Sequence, residues 1–304
     1  MRHRFLCSCA WLLLLAPAVA PLAAQGNFDN VEIKTIPVAD GIWMLAGAGG
    51  NIGVSAGADG VFLIDDQFAP LTEKIKAAVA AVDSGTIRFV LNTHWHGDHT
   101  GGNENLGKDG VLIFAHENVR KRMSTDQLIE ALDSAVPASP EVALPVVTFT
   151  DSVTFHLNGD TIRVFHVAPA HTDGDSIVRF AGANVVHMGD VFFSGMYPFI
   201  DVSSGGSIDG VIAAASDILD ATNEATKFIP GHGPLSGRAE LIAYRDMLRV
   251  VRQAVAELIA AGKGRAEVIE AKPSAAFDAQ WGGGFRKPDD FVGSVYDTLT
   301  RDLL

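Results

Sequence analysis

Thr93-His94-Trp95-His96-Gly97-Asp98-His99-Thr100-Gly101-Gly102-Asn103 is the segment of this chain richest in chemistry. Three imidazoles and a carboxylate crowd into six positions, His94 to His99. Such a set is costly in a core, where every ring nitrogen needs a partner and every charge a counter-charge. On a loop at the end of a strand the same groups can converge on a metal. Alternation points His94 and His96 the same way. Asp98 and His99 can turn toward a second position, so a dinuclear site follows from two ligand pairs of different direction. Imidazole and carboxylate are ordinary Zn²⁺ ligands.

Three further fragments share this character. Pro169-Ala170-His171-Thr172-Asp173-Gly174-Asp175 and Pro230-Gly231-His232-Gly233-Pro234 each place a histidine in a loop shaped by Gly and Pro. His187-Met188-Gly189-Asp190 ends on a carboxylate. Each fragment follows an apolar run, and loops on rigid scaffolds are where sites are built.

The runs that must position these loops read as strands. They are Val31–Val38, Ile42–Ala46, Ile52–Ala56, Val61–Ile64 and Ile87–Asn92 in the first half. A hairpin is expected over 153–167, turned by Asn158-Gly159, and another over 176–188. Lys227–Ile229 is a short strand. Helices are expected from Pro70 to about Val82, over Glu117–Met123, Ser207–Ala221, Arg238–Ala261 and Asp290–Leu304. Residues 124–145 read as an excursion, partly helical around Gln127–Leu132. The order is strands then helices, twice. Two sheets packed face to face with helices outside would bury the apolar strands on both sides.

The set H-x-H-x-D-H, then His, then Asp, then G-H resembles the metallo-β-lactamase superfamily. The resemblance covers nearly all of 31–250, with Gly60 to Asp65 as that superfamily's early strand ending in Asp. It implies an α/β fold, a four-layer αββα sandwich, with two Zn²⁺ per chain at one edge of the sheets. Carried over by position, His94, His96 and His171 would hold the first zinc. Asp98, His99 and His232 would hold the second, and Asp190 would bridge them. A bridging hydroxide would then attack an activated carbonyl. Asp98 would also orient it, as a catalytic residue. Asp65 is the candidate carboxylate behind a ligand imidazole, with Asp66 beside it as an alternative. Thr93 and Thr172 are expected to bond the ligand loops. Tyr197, seven positions after Asp190, is a candidate substrate-binding donor at the site mouth. His116, His156, His166 and His187 read as structural histidines, and Trp95 as a packing residue.

The resemblance implies a hydrolase of small molecules: β-lactam, lactone, ester or thioester. Class B β-lactamases depart from this chain at Asp190, where one subclass has a Cys ligand. A bridging Asp is the pattern of glyoxalase II and lactonases. Glyoxalase II also has a basic C-terminal region, to which Arg286-Lys287 is an isolated match. Weak β-lactam turnover is therefore expected. The alternative is an iron-dependent oxidoreductase of the same fold, similar to persulfide dioxygenases.

The chain has 304 residues, 48% of them hydrophobic and 19% charged, the balance of a folded globular protein. Its net charge of −13 repels phosphate backbones, so nucleic acid is not an expected partner. Arg2, His3 and Arg4 precede an apolar run from Phe5 to about Ala16 and then small residues to Ala24. This is the layout of a secretory signal peptide over 1–24. Cleavage is expected after Ala24, with Ala20 as the alternative, leaving 25–304 as one domain with no membrane segment. Cys7 and Cys9, the chain's 2 cysteines, fall inside the signal. Thiolate ligands and disulfides are thereby excluded from the mature chain, whose expected location is periplasmic or secreted.

Overall fold

A computed structural model describes residues 28–167 and 169–301. The expected signal peptide, its cleavage site and both cysteines lie outside the described residues.

Strands β1 (Lys34–Ala39), β2 (Ile42–Ala46), β3 (Ile52–Gly57) and β4 (Gly60–Ile64) run as an antiparallel meander. A 3-10 turn at Ala69–Leu71, with Pro70 in its first turn, leads into helix α1 (Thr72–Val82). β5 (Ile87–Asn92) then pairs parallel to β4. Two short helices follow, α2 (Gly97–Thr100) and α3 (Asn103–Lys108), and after them β6 (Leu112–His116) and α4 (Glu117–Met123). β6 comes from an apolar run, 111–115, that the strand expectations left unassigned.

Over 127–132 the excursion is helical only at Glu130–Leu132, as one 3-10 turn. It forms a small hairpin of β7 (Gln127–Ile129) and β8 (Ser134–Val136). Leu128, Ile129 and Leu132 mimic helical spacing, but Asp133 takes a left-handed φ of 46° and turns the chain back. β9 (Val147–Phe149) returns to the first sheet beside β6.

The second sheet contains β10 (Ser152–Leu157), β11 (Asp160–His166), β12 (Ser176–Phe180), β13 (Val185–His187) and β14 (Lys227–Ile229), in that order. Asn158 (φ 51°) and Gly159 (φ 76°) turn the β10–β11 hairpin. Positive φ at both central positions is what a tight two-residue hairpin demands. Helices α5 (Ile208–Asp220), α6 (Arg238–Ala260), α7 (Arg265–Glu270), α8 (Asp278–Trp281) and α9 (Pro288–Thr300) complete the described chain.

Alternation along the strands divides the core in three. Phe62, Ile64 and Leu91 of the first sheet meet Val164, Val178 and Ile229 of the second between the sheets. Val61, Leu63 and Val90 point the other way, against Leu71, Ile75 and Val79 of the α1 region and Leu106 of α3. On the far side, Ile177, Val186 and Phe228 meet Val211 and Ile218 of α5, Tyr244 and Leu248 of α6, and Phe291 of α9. A period of two in strands against 3.6 in helices produces these faces. The result is the expected four-layer αββα arrangement. Among the described residues, no helix is long and apolar enough to cross a membrane.

β4 and β5 run parallel in the first sheet, and β11, β13 and β14 share a direction in the second, through a parallel pair and paired antiparallel steps. The loops after their C-terminal ends therefore gather at one edge of both sheets. Those loops carry Asp65, residues 94–99, His171, Asp190 and His232.

Candidate metal centre

Seven side chains from four loops converge at this edge. Their ligand atoms form three groups, each within 4.8 Å: His94, His96 and His171; His94, His99 and Asp190; Asp98, His99 and His232. Asp190 stands between the outer groups. Its Oδ1 lies 3.0 Å from His99 Nε2. Its Oδ2 lies 3.5 Å from His171 Nε2, 3.4 Å from His232 Nε2 and 3.8 Å from His94 Nε2. Asp98 Oδ2 is 3.3 Å from His232 Nε2 and 3.7 Å from His99 Nε2.

The outward nitrogens of four rings are held. His94 Nδ1 lies 3.1 Å from Thr93 Oγ1, which in turn donates to Asp65 Oδ2 at 2.8 Å. His96 Nε2 donates to Asp201 Oδ2 at 3.0 Å, and His171 Nδ1 to the Phe199 carbonyl at 2.7 Å. His99 Nδ1 donates to Asp65 Oδ2 at 2.8 Å. A donated proton on one nitrogen leaves the lone pair of the other pointing inward, which is how metal-binding imidazoles are oriented.

The inward atoms fit a cation better than they fit one another. His94 Nε2 is sealed from solvent without a hydrogen-bond partner. His171 Nε2 and His96 Nδ1 face each other at 2.9 Å. Buried polar atoms rarely go unpaired unless a water or ion is meant to meet them. Burial holds His94 well below the usual imidazole range and brings His171 down to about 4. Both rings are thus neutral at pH 7, as metal ligation requires. In His99 and His232 the pull of burial is outweighed by Asp190 and Asp98, which raise His99 well above its ordinary value and His232 to about 9. Burial raises Asp98 and Asp190, but His99 and His232 overcome it. Asp98 falls to about 2 and Asp190 lies well below the usual carboxylate range. Protons here occupy places that cations would take.

The backbone leaves room for this packing. A Cβ on Gly231 would lie 2.0 Å from Asp190 Oδ1, and one on Gly50 would lie 2.1 Å from His99 Cε1. Glycine is therefore required at both positions.

A profile of the metallo-beta-lactamase superfamily matches residues 47–260. The chain belongs to the metallo-beta-lactamase superfamily. A hydroxyacylglutathione hydrolase of Polaromonas sp. is 28% identical over 179 residues, 58% of this chain and 60% of that protein. A metallo-beta-lactamase type 2 of Bacteroides fragilis is 26% identical over 166 residues, 53% of this chain and 58% of that protein. The chain thus matches about three-fifths of these relatives' length. Among solved structures, the DIM-1 metallo-beta-lactamase superposes with TM-score 0.58 at 20% identity, covering 72% of this chain and 98% of that one. A metallo-beta-lactamase from Pontibacter korlensis gives 0.59 at 17% identity, covering 72% and 99%. The superfamily's fold is shared with both.

Within this superfamily site, the structure brings together His94, His96, Asp98, His99, His171, Asp190 and His232, with Asp65 directly behind His99. It does not bring Tyr197 to the mouth. That ring is buried and stacks on Phe291 at 4.5 Å, and its hydroxyl donates to Asp278 Oδ1 at 2.7 Å. The Tyr197 N–H also bonds the Trp281 carbonyl at 2.9 Å, which ties this stretch to α8. Asp66 does not reach His99's ring; its Oδ1 accepts from the Gly102 N–H at 2.9 Å.

Three positioning residues were not singled out from the sequence. Asp201 holds His96, as described above. Asp175 accepts from the His171 N–H at 2.6 Å and from Thr172 Oγ1 at 2.6 Å. Asn51 donates to the carbonyls of Pro230, at 3.0 Å, and Gly233, at 2.9 Å, fixing the loop of His232. His187 is structural, its Nε2 bonded to the Asn51 carbonyl at 3.1 Å.

Proposed function

We propose that this chain is an exported, zinc-dependent hydrolase that opens activated carbonyl compounds, among them lactones, esters, thioesters and, weakly, β-lactams. The observation that carries this reading is Asp190, one carboxylate set between two donor groups. His94, His96 and His171 would hold one zinc; Asp98, His99 and His232 would hold the other. Two zinc ions there would supply Lewis acidity and water of lowered pKa.

The protein's own groups supply orientation. Asp98 is the most open carboxylate of the set, its side chain 27% exposed against 4% for Asp190. That exposure lets it meet and orient an incoming water. Asp190 is sealed, which suits a fixed bridge. His232 is partly open, and the buried ring of Phe193 stacks on it at 5.1 Å. The relatives named for hydroxyacylglutathione and β-lactam hydrolysis support the same bond class. The second donor group, complete in Asp98, His99 and His232, favours this reading over a single-iron oxidase.

A panel of lactam, lactone, thioester and phosphodiester substrates tests the activity. Turnover of the carbonyl substrates is expected. Silence on all of them, with oxygen uptake on a persulfide, would overturn it. Export is tested by mass spectrometry of the native protein, with an N-terminus at Gln25 expected and one at Met1 contradicting it.

A further inference from the structure

The β7–β8 hairpin carries no metal ligand, and its two strands pair only with each other. Such a ribbon is marginal alone and needs something to lie on. It lies on the 3-10 turn Val202–Ser204, with Ile129 and Val136 packed into the helix-side core of the second sheet. A polar contact crosses from hairpin to turn. The Glu130 N–H donates to Ser203 Oγ at 3.3 Å, and Ser203 Oγ donates to Asp201 Oδ1 at 2.5 Å.

Asp201 is buried. Burial raises its carboxyl, but bonds from His96, Ser203 and Ser204 outweigh that and hold it below the usual carboxylate range. An anion only accepts, so the Ser203 hydroxyl and His96 Nε2–H both point at it. Asp201 Oδ2 accepts from His96 Nε2 at 3.0 Å. That leaves His96 Nδ1 for the metal side, where it faces His171 Nε2 at 2.9 Å. An unbroken series of bonds thus runs from the hairpin main chain through Ser203 and Asp201 to a ligand ring.

The same loop holds a second ligand. The Asp201 N–H donates to the His171 carbonyl at 3.0 Å, and a Cβ on Gly206 would lie 2.4 Å from that oxygen. Trp95, between His94 and His96, donates from Nε1 to Ser204 Oγ at 3.2 Å. Among the described residues, no hydrogen bond of 201–206 reaches Asp98, His99 or His232. The loop is built around one donor group of the two.

We infer that the β7–β8 hairpin is a positioning element for the metal held by His94, His96 and His171, acting through the Glu130 N–H, Ser203 and Asp201. The inference rests on the dinuclear reading above and goes beyond it by giving a role to a hairpin without ligands. A hydroxyl bonded at both ends fixes which way the Asp201 carboxylate faces, and that carboxylate fixes the plane of the His96 ring.

Chelator competition and absorption on cobalt-loaded protein test this, position by position, in wild type, S203A, S203T and E130P. Glu130 opens a 3-10 turn, where proline removes the N–H and still fits the backbone. S203A and E130P should each lower affinity at the first position about 3- to 10-fold, the scale of one lost hydrogen bond, and shift its absorption bands. The second position, which has no bond to the loop, should keep its affinity within about twofold. S203T keeps the hydroxyl and should restore the wild-type value. S203A/E130P should lose no more than S203A alone, since both cut one series. Additive losses, losses shared equally by the two positions, or an S203T that behaves as S203A would overturn the inference. A second readout carries the test should E130P not fold. Loading the first position should slow hydrogen exchange of the Glu130 amide in wild type and not in S203A, because coupling is reciprocal. Equal slowing in both overturns the inference. Wild type that takes up no cobalt removes the dinuclear reading together with this inference. Wild type that binds two ions, beside variants indistinguishable from it, overturns the inference and leaves that reading standing.

Discussion

Asp65 accepts from His99 Nδ1 at 2.8 Å, and neither side chain is exposed to solvent. The same carboxylate accepts from the Thr93 N–H at 2.7 Å and from Thr93 Oγ1 at 2.8 Å. One group at the end of β4 therefore sets the start of the metal loop and the ring that lies 3.0 Å from Asp190. Its backbone takes a left-handed φ of 66°, a conformation Asp and Asn tolerate better than most.

Asp65→Asn should fold and lose about 10- to 100-fold in affinity for the metal on the His99 side, since a partner behind a ligand contributes on that scale. Asp65→Ala should also lose about 3–5 kcal/mol of stability, because it strips several buried donors of their acceptor at once. Chelator competition and denaturant melts check both. Wild-type affinity in Asp65→Asn would show that His99 needs no carboxylate behind it.

Asp201 plays the matching part for His96, so Asp201→Asn should weaken the other metal position. The two variants should differ in which metal leaves first. Titration of chelator against cobalt-substituted protein would show this by absorption. Identical release curves in the two variants would contradict separate roles.

How much of this was legible follows from distance along the chain. His94, His96, Asp98 and His99 sit in one loop, and the strands before His171, Asp190 and His232 are apolar enough to be seen. Asp201 contacts His96 across 105 positions. It is a single carboxylate after Phe199-Ile200, with no companion ligand to draw notice. Asn51 is hidden in a Gly-rich turn for the same reason. The hairpin at 127–136 is hard to see in the sequence because its strands are three residues each and a 3-10 turn at Glu130–Leu132 joins them. Tyr197 was misplaced because counting positions from Asp190 says nothing of where the chain bends.

Metal uptake should release protons. His232 is pushed up to about 9 in the metal-free protein and His99 lies well above its ordinary value, so both are charged at pH 7. A raised folded-state value stabilises the metal-free fold below the unfolded value of about 6.5, and that stability fades as pH rises through about 9. Zinc must displace these protons, so apparent affinity should rise from pH 6 toward pH 9. Calorimetry in buffers of different ionisation enthalpy measures the protons released. A heat independent of the buffer would contradict the assignment.

The central claim is that Asp190 joins two metal positions, and metal analysis tests it most directly. Wild-type protein, purified without added metal and counted by inductively coupled plasma mass spectrometry, should carry two zinc ions per chain, and Asp190→Ser should retain fewer. One iron per chain in the wild type, or an unchanged pair of zinc ions in Asp190→Ser, would contradict the account.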